Sequence, residues 1–201
     1  MADTTLCTFA ELEFLLRSAT GSAAGELDGV RRLLGLRPEA ATDIVTAAGV
    51  ASLLARGLCT DEGGDVVPGP LVLAAVAALS TLHTTTEAAG SAGDKTLAMH
   101  VFSGTAGRFA AYPGPFGLFG VEALDPAEPL ASPLARFVDR CMAGDGEAAV
   151  VIKSDDGGSL AIARAADGTW LLADGPSAVP VSRADVVAAL VSRFAGAAVG
   201  A

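Results

Sequence analysis

The chain has 201 residues and a formal charge of −10, from 23 acidic and 13 basic side chains. An acidic surface repels phosphate backbones and anionic lipids, so nucleic-acid binding and membrane insertion are disfavoured as functions. Apolar residues make up 51% of the chain, which is enough to form a sizeable core in one large domain or two small ones.

Cysteine usage and the first residues predict a cytoplasmic protein. The cysteines Cys7, Cys59 and Cys141 are far apart and include no C-x-x-C pair, so they predict neither a zinc site nor a redox motif. A reducing compartment is the simplest interpretation. The segment Met1–Phe14 has neither the basic start nor the unbroken apolar run of a signal peptide. The apolar run Leu71–Leu79 is too short to span a bilayer.

The first half of the chain predicts a helical module, residues 1–90. Thr8 and Glu11 fit a capping box at the start of its first helix. Apolar spacing and stop signals then predict helices over Glu26–Leu34, Pro38–Arg56 and Leu71–Leu82, with a small β-hairpin over Leu58–Val67. This order is similar to a winged helix. Because Ala41–Ala55 has no Lys or Arg, we expect such a packing without DNA binding.

A weak internal repeat organises residues 91–201. At an offset of about 51 residues, Leu97–Ser103 aligns with Ala148–Ser154, and Phe119 aligns with Trp170. Each copy predicts three strands and a helix. The strands are predicted over Leu97–Ser103, Gly107–Tyr112 and Phe116–Leu124, and then over Ala148–Ser154, Ser159–Arg164 and Thr169–Ala173. Helices follow at Leu134–Cys141 and after Ser182, which is a good helix cap.

The predicted fold class is therefore α+β. Consecutive hairpins require antiparallel pairing, so the two β-β-β-α copies predict an antiparallel sheet of about six strands with helices. His83–Glu87 is read as a short strand, and Ala88–Gly93 as a loop that separates the two halves. The module and the repeat pair are expected to form one compact unit.

No motif predicts catalysis, a cofactor or a metal. The Gly-rich stretch Ser103–Gly107 lacks the Lys-Ser/Thr of a phosphate loop, and no G-x-S-x-G occurs. The acidic turns lack the alternating ligands of a calcium loop. His83 and His100 are the only histidines, and no pattern surrounds either with acids. We therefore expect a protein that is not an enzyme.

Aromatic residues cluster in one segment, Tyr112–Phe119, which also contains Phe116. Clustered aromatics commonly anchor protein partners, so Tyr112, Phe116 and Phe119 are the candidate partner-binding residues, with Trp170 as a further one. The alternative is that these side chains cover the edge of the core. The sequence leaves both open.

Several segments resemble the EspG family, the secretion-associated proteins of ESX (type VII) systems. They are Phe9–Leu15, Ala51–Leu58 with the acidic Gly turn and Val66–Pro68 that follow, the apolar helix Leu71–Leu82, and Asp167–Trp170 before a closing helix. The resemblance implies an α/β fold with quasi-two-fold repetition. It also implies a cytosolic chaperone that covers the helical, apolar tip of PE–PPE substrates before export.

The function expected from the sequence is therefore a non-enzymatic cytoplasmic protein that binds an apolar helical surface of a protein partner, such as a PE–PPE secretion substrate. A homodimer is compatible with the sequence. The alternative function is a regulatory or ligand-sensing α+β protein without DNA binding.

Overall fold

The structure is a computed structural model, and it describes residues 4–22, 24–37, 39, 41–92, 94–173 and 177–194. Helix accounts for 39% and strand for 36% of it, with all strand pairing antiparallel, so the predicted α+β class is confirmed. Part of the predicted third helix, Pro38 and Ala40, lies outside the described residues.

The described residues form six α-helices and eleven β-strands. The helices are α1 Phe9–Ser18, α2 Ala24–Leu33, α3 Asp43–Ala55, α4 Pro70–Ser80, α5 Ala131–Met142 and α6 Arg183–Arg193. The strands are β1 Thr5–Thr8, β2 Cys59–Glu62, β3 Asp65–Pro68, β4 Leu82–Ala92, β5 Lys95–Gly104, β6 Arg108–Pro113, β7 Leu118–Leu124, β8 Ala148–Ser154, β9 Ser159–Arg164, β10 Trp170–Ala173 and β11 Ala178–Val181.

Nine strands form one sheet in the order β1-β7-β6-β5-β4-β8-β9-β10-β11, and β2 pairs with β3 in a separate hairpin. The sheet is larger than the six strands expected, because β1, β4 and β11 join it. The order strand–strand–strand–helix occurs at β5–β6–β7–α5 and again, with β11 added, at β8–β9–β10–α6. That this order reflects a sequence repeat stays a prediction, as does the winged-helix likeness.

Internal contacts divide the chain into two compact units. The first comprises residues 1–83 and 100–126, and the second residues 84–99 and 127–201. This division does not coincide with the expected halves 1–90 and 91–201.

The prediction of a loop at Ala88–Gly93 is wrong for Ala88–Ala92, which belong to β4, while Gly93 lies outside the described residues. Gly90 in this stretch lies within the strand, where it allows close packing, and does not form a turn. A Cβ on Gly90 would lie 2.7 Å from Sγ of Cys141 on α5, so a larger residue here would force a neighbouring group to move.

In the first unit, α1 is the central helix. The predicted capping box at its start is confirmed, with Thr8 and Glu11 each bonding the other's backbone N–H. Its leucines Leu12, Leu15 and Leu16 are buried among residues of α3, α4 and the strands. The helix α3 approaches closely, because a Cβ on Gly49 would lie 2.2 Å from the carbonyl oxygen of Ala10.

In the second unit, burial alternates along the strands as expected for a sheet with one covered face. Val150 and Ile152 of β8 and Ile162 of β9 are buried. Arg164 donates to the carbonyl oxygens of Met142 at 2.7 Å and Gly146 at 2.9 Å, and so holds the segment after α5. The predicted cap of α6 is confirmed, since Ser182 and Asp185 form a capping box.

Candidate functional site

The turn between β6 and β7, residues 114–117, displays the most exposed large apolar side chain of the described residues. The turn is closed by two backbone hydrogen bonds: the amide of Gly114 donates to the Leu118 carbonyl at 2.8 Å, and the amide of Leu118 donates to Pro115. Phe116 lies within the turn that these two hydrogen bonds close, and it is 98% exposed. The hairpin therefore presents a single phenyl ring to solvent.

The backbone at Phe116 is left-handed, with φ of 60° and ψ of 25°, and it is followed by Gly117 at φ of 70°. Among the described residues, Phe116 is the one non-glycine residue with positive φ. Two successive left-handed residues are typical of a type I′ turn, in which Asn, Asp or Gly is preferred at the first position. A non-glycine residue in this region costs about 1–2 kcal/mol. The chain thus places a large apolar residue where both solvent and backbone disfavour it.

Further exposed apolar side chains lie at the neighbouring strand. The strand β1 pairs with β7 in a register that sets Thr8 opposite Leu118 and Leu6 opposite Gly120. Phe9, which follows Thr8, therefore leaves the sheet at the same end as the turn that precedes Leu118. Leu6 is 57% exposed and Phe9 is 40% exposed. We call Phe9 and Phe116 the apolar end of the first unit.

The hairpin beneath the turn is anchored by a polar pair. The hydroxyl of Tyr112 donates to Oε2 of Glu122 at 2.9 Å, and Glu122 is only 7% exposed. Tyr112 lies opposite Gly120, where a Cβ would come within 3.6 Å of the tyrosine Cβ. The tyrosine therefore packs along the hairpin and holds the two strands in register below Phe116.

The structure separates the four predicted partner-binding residues. Tyr112 and Phe116 lie in one hairpin, where Tyr112 is half-buried and Phe116 is exposed. Phe119 is buried in the core of the first unit, opposite Cys7 of β1. Trp170 is half-buried on β10 of the second unit, opposite Arg164. Of the four, Phe116 alone offers a fully exposed ring.

The prediction of a strand from Phe116 is wrong at its start, since β7 begins at Leu118. Sequence reasoning also missed Leu6 and Phe9 as surface residues. The signal was available in part, because Thr5–Thr8 is a short β-prone run directly before the capping box. Its pairing with β7 joins residues more than 100 positions apart, which no local pattern shows.

A buried polar network lies under α1. Glu11 is fully buried and accepts hydrogen bonds from Ser52 and Arg56 of the α3 region. Burial raises the pKa of the neighbouring Cys7 thiol to about 11, with the charge of Glu11 adding to this effect. A thiol held in its neutral form is a poor nucleophile. The network therefore fastens α1 to α3.

The two histidines lie in different surroundings. His83 is exposed on β4, whereas His100 is buried on β5 with its ring 6.5 Å from that of Phe102. Within the described ranges, no group of three or more His, Cys, Asp or Glu side chains is placed to hold a metal ion. In the same part of the chain, no helix has the length and apolar character needed to cross a bilayer.

A scan against protein-family models found no match to this chain, and a search of curated proteins gave no significant match. The resemblance to the EspG family therefore stays a prediction that depends on the quoted residues.

Proposed function

We propose that this protein is a non-enzymatic binding protein that covers an apolar helical surface on a partner protein. The observation that carries the proposal is Phe116, an aromatic side chain 98% exposed on a left-handed backbone. Strained residues persist where the surrounding structure holds them, and they concentrate at ligand-binding segments.

The geometry suits a contact with a helix. A single ring at the tip of a hairpin can enter the groove between two turns of an amphipathic helix, and aromatic anchors of this kind dominate binding energy at interfaces. Phe9, which follows β1 at the same end of the sheet, supplies flanking apolar surface. The hydrogen bond from Tyr112 to Glu122 stiffens the hairpin, which lowers the entropy lost on binding.

The overall charge fits this function. A charge of −10 keeps the chain soluble while it displays apolar side chains, and it disfavours acidic partners. The partner class that the EspG resemblance implies, an apolar helical tip of a PE–PPE secretion substrate, is compatible with the apolar end. A cytoplasmic location and a chaperone role before export belong to the same proposal.

Recovery of a partner by the tagged chain tests the proposal. The chain and two variants would be expressed in the native host, and co-purified proteins would be identified and then measured as purified pairs by calorimetry. Phe116→Ala should weaken binding about tenfold or more, the loss typical of a hot-spot residue. The matched control is Ile44→Ala on α3, which removes a side chain 82% exposed. Equal binding by Phe116→Ala and the unmodified chain would reject the proposed site.

A further inference from the structure

The helix α2 is held in the first unit by two apolar side chains and one arginine. Leu27 and Val30 are the buried residues of this helix, and they join the same apolar core as the leucines of α1. Arg31, which directly follows Val30, forms an ion pair with Glu13 of α1. The other residues of α2 are exposed or half-buried. Few side chains therefore keep this helix in place.

The ion pair is well aligned and largely removed from water. Nη2 of Arg31 donates to Oε1 of Glu13 at 2.7 Å, and Nε donates to both carboxylate oxygens at 3.2 Å. The Glu13 side chain is 3% exposed, whereas Asp28, the second carboxylate on the same arginine, is 60% exposed. Loss of one partner from a buried pair is strongly destabilising, while an exposed pair contributes little. Glu13 therefore requires a cation on the helix that lies over it.

Two glycines weaken α2 without a packing reason. A Cβ built on Gly25 or Gly29 meets no described atom within 4 Å, so neither glycine is needed for a close approach. Gly49 of α3 differs, because its Cβ would lie 2.2 Å from a backbone oxygen of α1. Glycine is the poorest helix former after proline, since its backbone loses the most freedom. Low helix propensity and few buried side chains are typical of a segment that opens locally.

The chain is fastened to the core at both ends of α2. Before the helix, the hydroxyl of Ser22 donates to the carbonyl of Leu79 on α4. After the helix, Leu34 and Leu36 are buried in the apolar core. Opening of α2 therefore unfolds the helix between two fixed ends, and the packing among α1, α3 and α4 can remain.

From these observations we infer that α2 is a displaceable occupant of a helix-binding site at α1. The site takes a helix with two apolar side chains three positions apart and an arginine directly after the second, as in Leu27, Val30 and Arg31. When α2 unfolds, a partner helix with this pattern takes its place on Glu13. The inference rests on the proposed binding function for the existence of a partner, but the site does not include Phe116. The partner's apparent affinity is reduced by the fraction of molecules in which α2 is open.

Hydrogen exchange measures the opening. The amides of α2 should exchange at least a hundredfold faster than those of Leu12–Leu16, with little dependence on denaturant, because local opening exposes little surface. Glu13→Gln should speed exchange in α2 at least tenfold. Gly25→Ala combined with Gly29→Ala should slow it about twentyfold. The matched control is Asp28→Asn, which removes the exposed partner of the same arginine and should change the rate about twofold or less.

A peptide of α2 tests the site itself. The probe is a labelled peptide with the sequence of residues 24–33, in which alanine replaces both glycines, and the control peptide also carries Arg31→Glu. The acceptor is the whole chain with Arg31→Glu, because Glu13 repels its own helix. Fluorescence anisotropy should show saturable binding of the probe to this acceptor. Binding should be at least tenfold weaker for the control peptide, and also for the probe with the unmodified chain.

Several results would overturn the inference. They are exchange of α2 at the rate of α1, equal effects of Glu13→Gln and Asp28→Asn, and equal affinity of the two peptides. Absence of saturable binding to a folded acceptor would also overturn it. Val30→Asp, which releases α2 through its apolar contact, supplies a second acceptor in case Arg31→Glu does not fold, and exchange in the unmodified chain needs neither variant.

The two proposals fail separately. Phe116→Ala should leave binding of the α2 peptide unchanged, because Phe116 is 98% exposed on the β6–β7 turn and takes no part in holding α2. Loss of partner recovery with Phe116→Ala, together with failure of the peptide to bind, would reject the site at α1 alone. Peptide binding as expected, together with unchanged partner recovery by Phe116→Ala, would reject the site proposed at Phe116 alone.

Discussion

Nη1 of Arg56 donates to both carboxylate oxygens of Glu11, at 2.9 and 3.0 Å, and thereby ties α1 to the end of α3 inside the first unit. Glu11 is fully buried, whereas the Arg56 side chain is 37% exposed. Burial by itself would raise the pKa of Glu11, but hydrogen bonds from the Thr8 backbone and the α3 side chains outweigh it and lower that pKa. The carboxylate is therefore ionised in the folded protein.

This shift predicts a loss of stability in acid. Because the pKa of Glu11 is lower in the folded than in the unfolded chain, its stabilisation is complete above the ordinary glutamate range and is lost as the pH falls through the folded pKa. Glu11→Gln should lower the free energy of unfolding by about 1–3 kcal/mol at pH 7 and flatten its decline in acid. Denaturant titrations at several pH values measure both effects.

The control for that experiment is Glu62→Gln, since Glu62 is exposed on β2. It should follow the unmodified chain at every pH. An unchanged acid dependence in Glu11→Gln would contradict the assignment of the shift to this network.

Gly90 provides a test of packing in the second unit. A methyl group there would lie 2.7 Å from Sγ of Cys141 and 2.9 Å from Cγ2 of Val150. Gly90→Ala should therefore reduce the free energy of unfolding by about 1–3 kcal/mol. Gly29→Ala on α2 meets no atom within 4 Å and should stabilise the protein by about 0.5–1 kcal/mol through helix propensity. Equal effects of the two substitutions in thermal melts would contradict the close contact of β4 with α5.

Thiol chemistry provides a third prediction. Cys7, Cys59 and Cys141 are all buried and free, and burial raises the pKa of each thiol. At pH 8 the folded protein should titrate close to zero thiols with a thiol-specific dye, and the unfolded chain should titrate three. Rapid labelling of any cysteine in the folded protein would show that its element opens readily or is packed differently.

Local patterns in the sequence predicted most of the regular elements. The capping boxes Thr8–Glu11 and Ser182–Asp185 set where α1 and α6 begin, because each is made of hydrogen bonds between residues three positions apart. Apolar spacing indicated the helices, although α3 begins at Asp43 and not at Pro38 as predicted. These features depend on interactions within a few residues, so they are visible without the fold.

What could not be predicted depends on distant residues. The strand β1 exists because it pairs with β7, and β4 continues through Ala88–Ala92 because it pairs with β8. Likewise, the aromatic segment around Tyr112 showed where rings cluster but not which ring is buried. Phe119 faces the core while Phe116 turns outward at a left-handed residue, and backbone handedness at a phenylalanine has no sequence signal.

The central claim is that Phe116 is kept for binding at a cost in stability, and Phe116→Asn tests it most directly. Asparagine tolerates the left-handed backbone, so the variant should gain about 1 kcal/mol and melt about 2–4 °C higher. The same variant should bind the partner recovered by the unmodified chain about tenfold more weakly in calorimetry. A variant that melts higher and binds with unchanged affinity would contradict the claim.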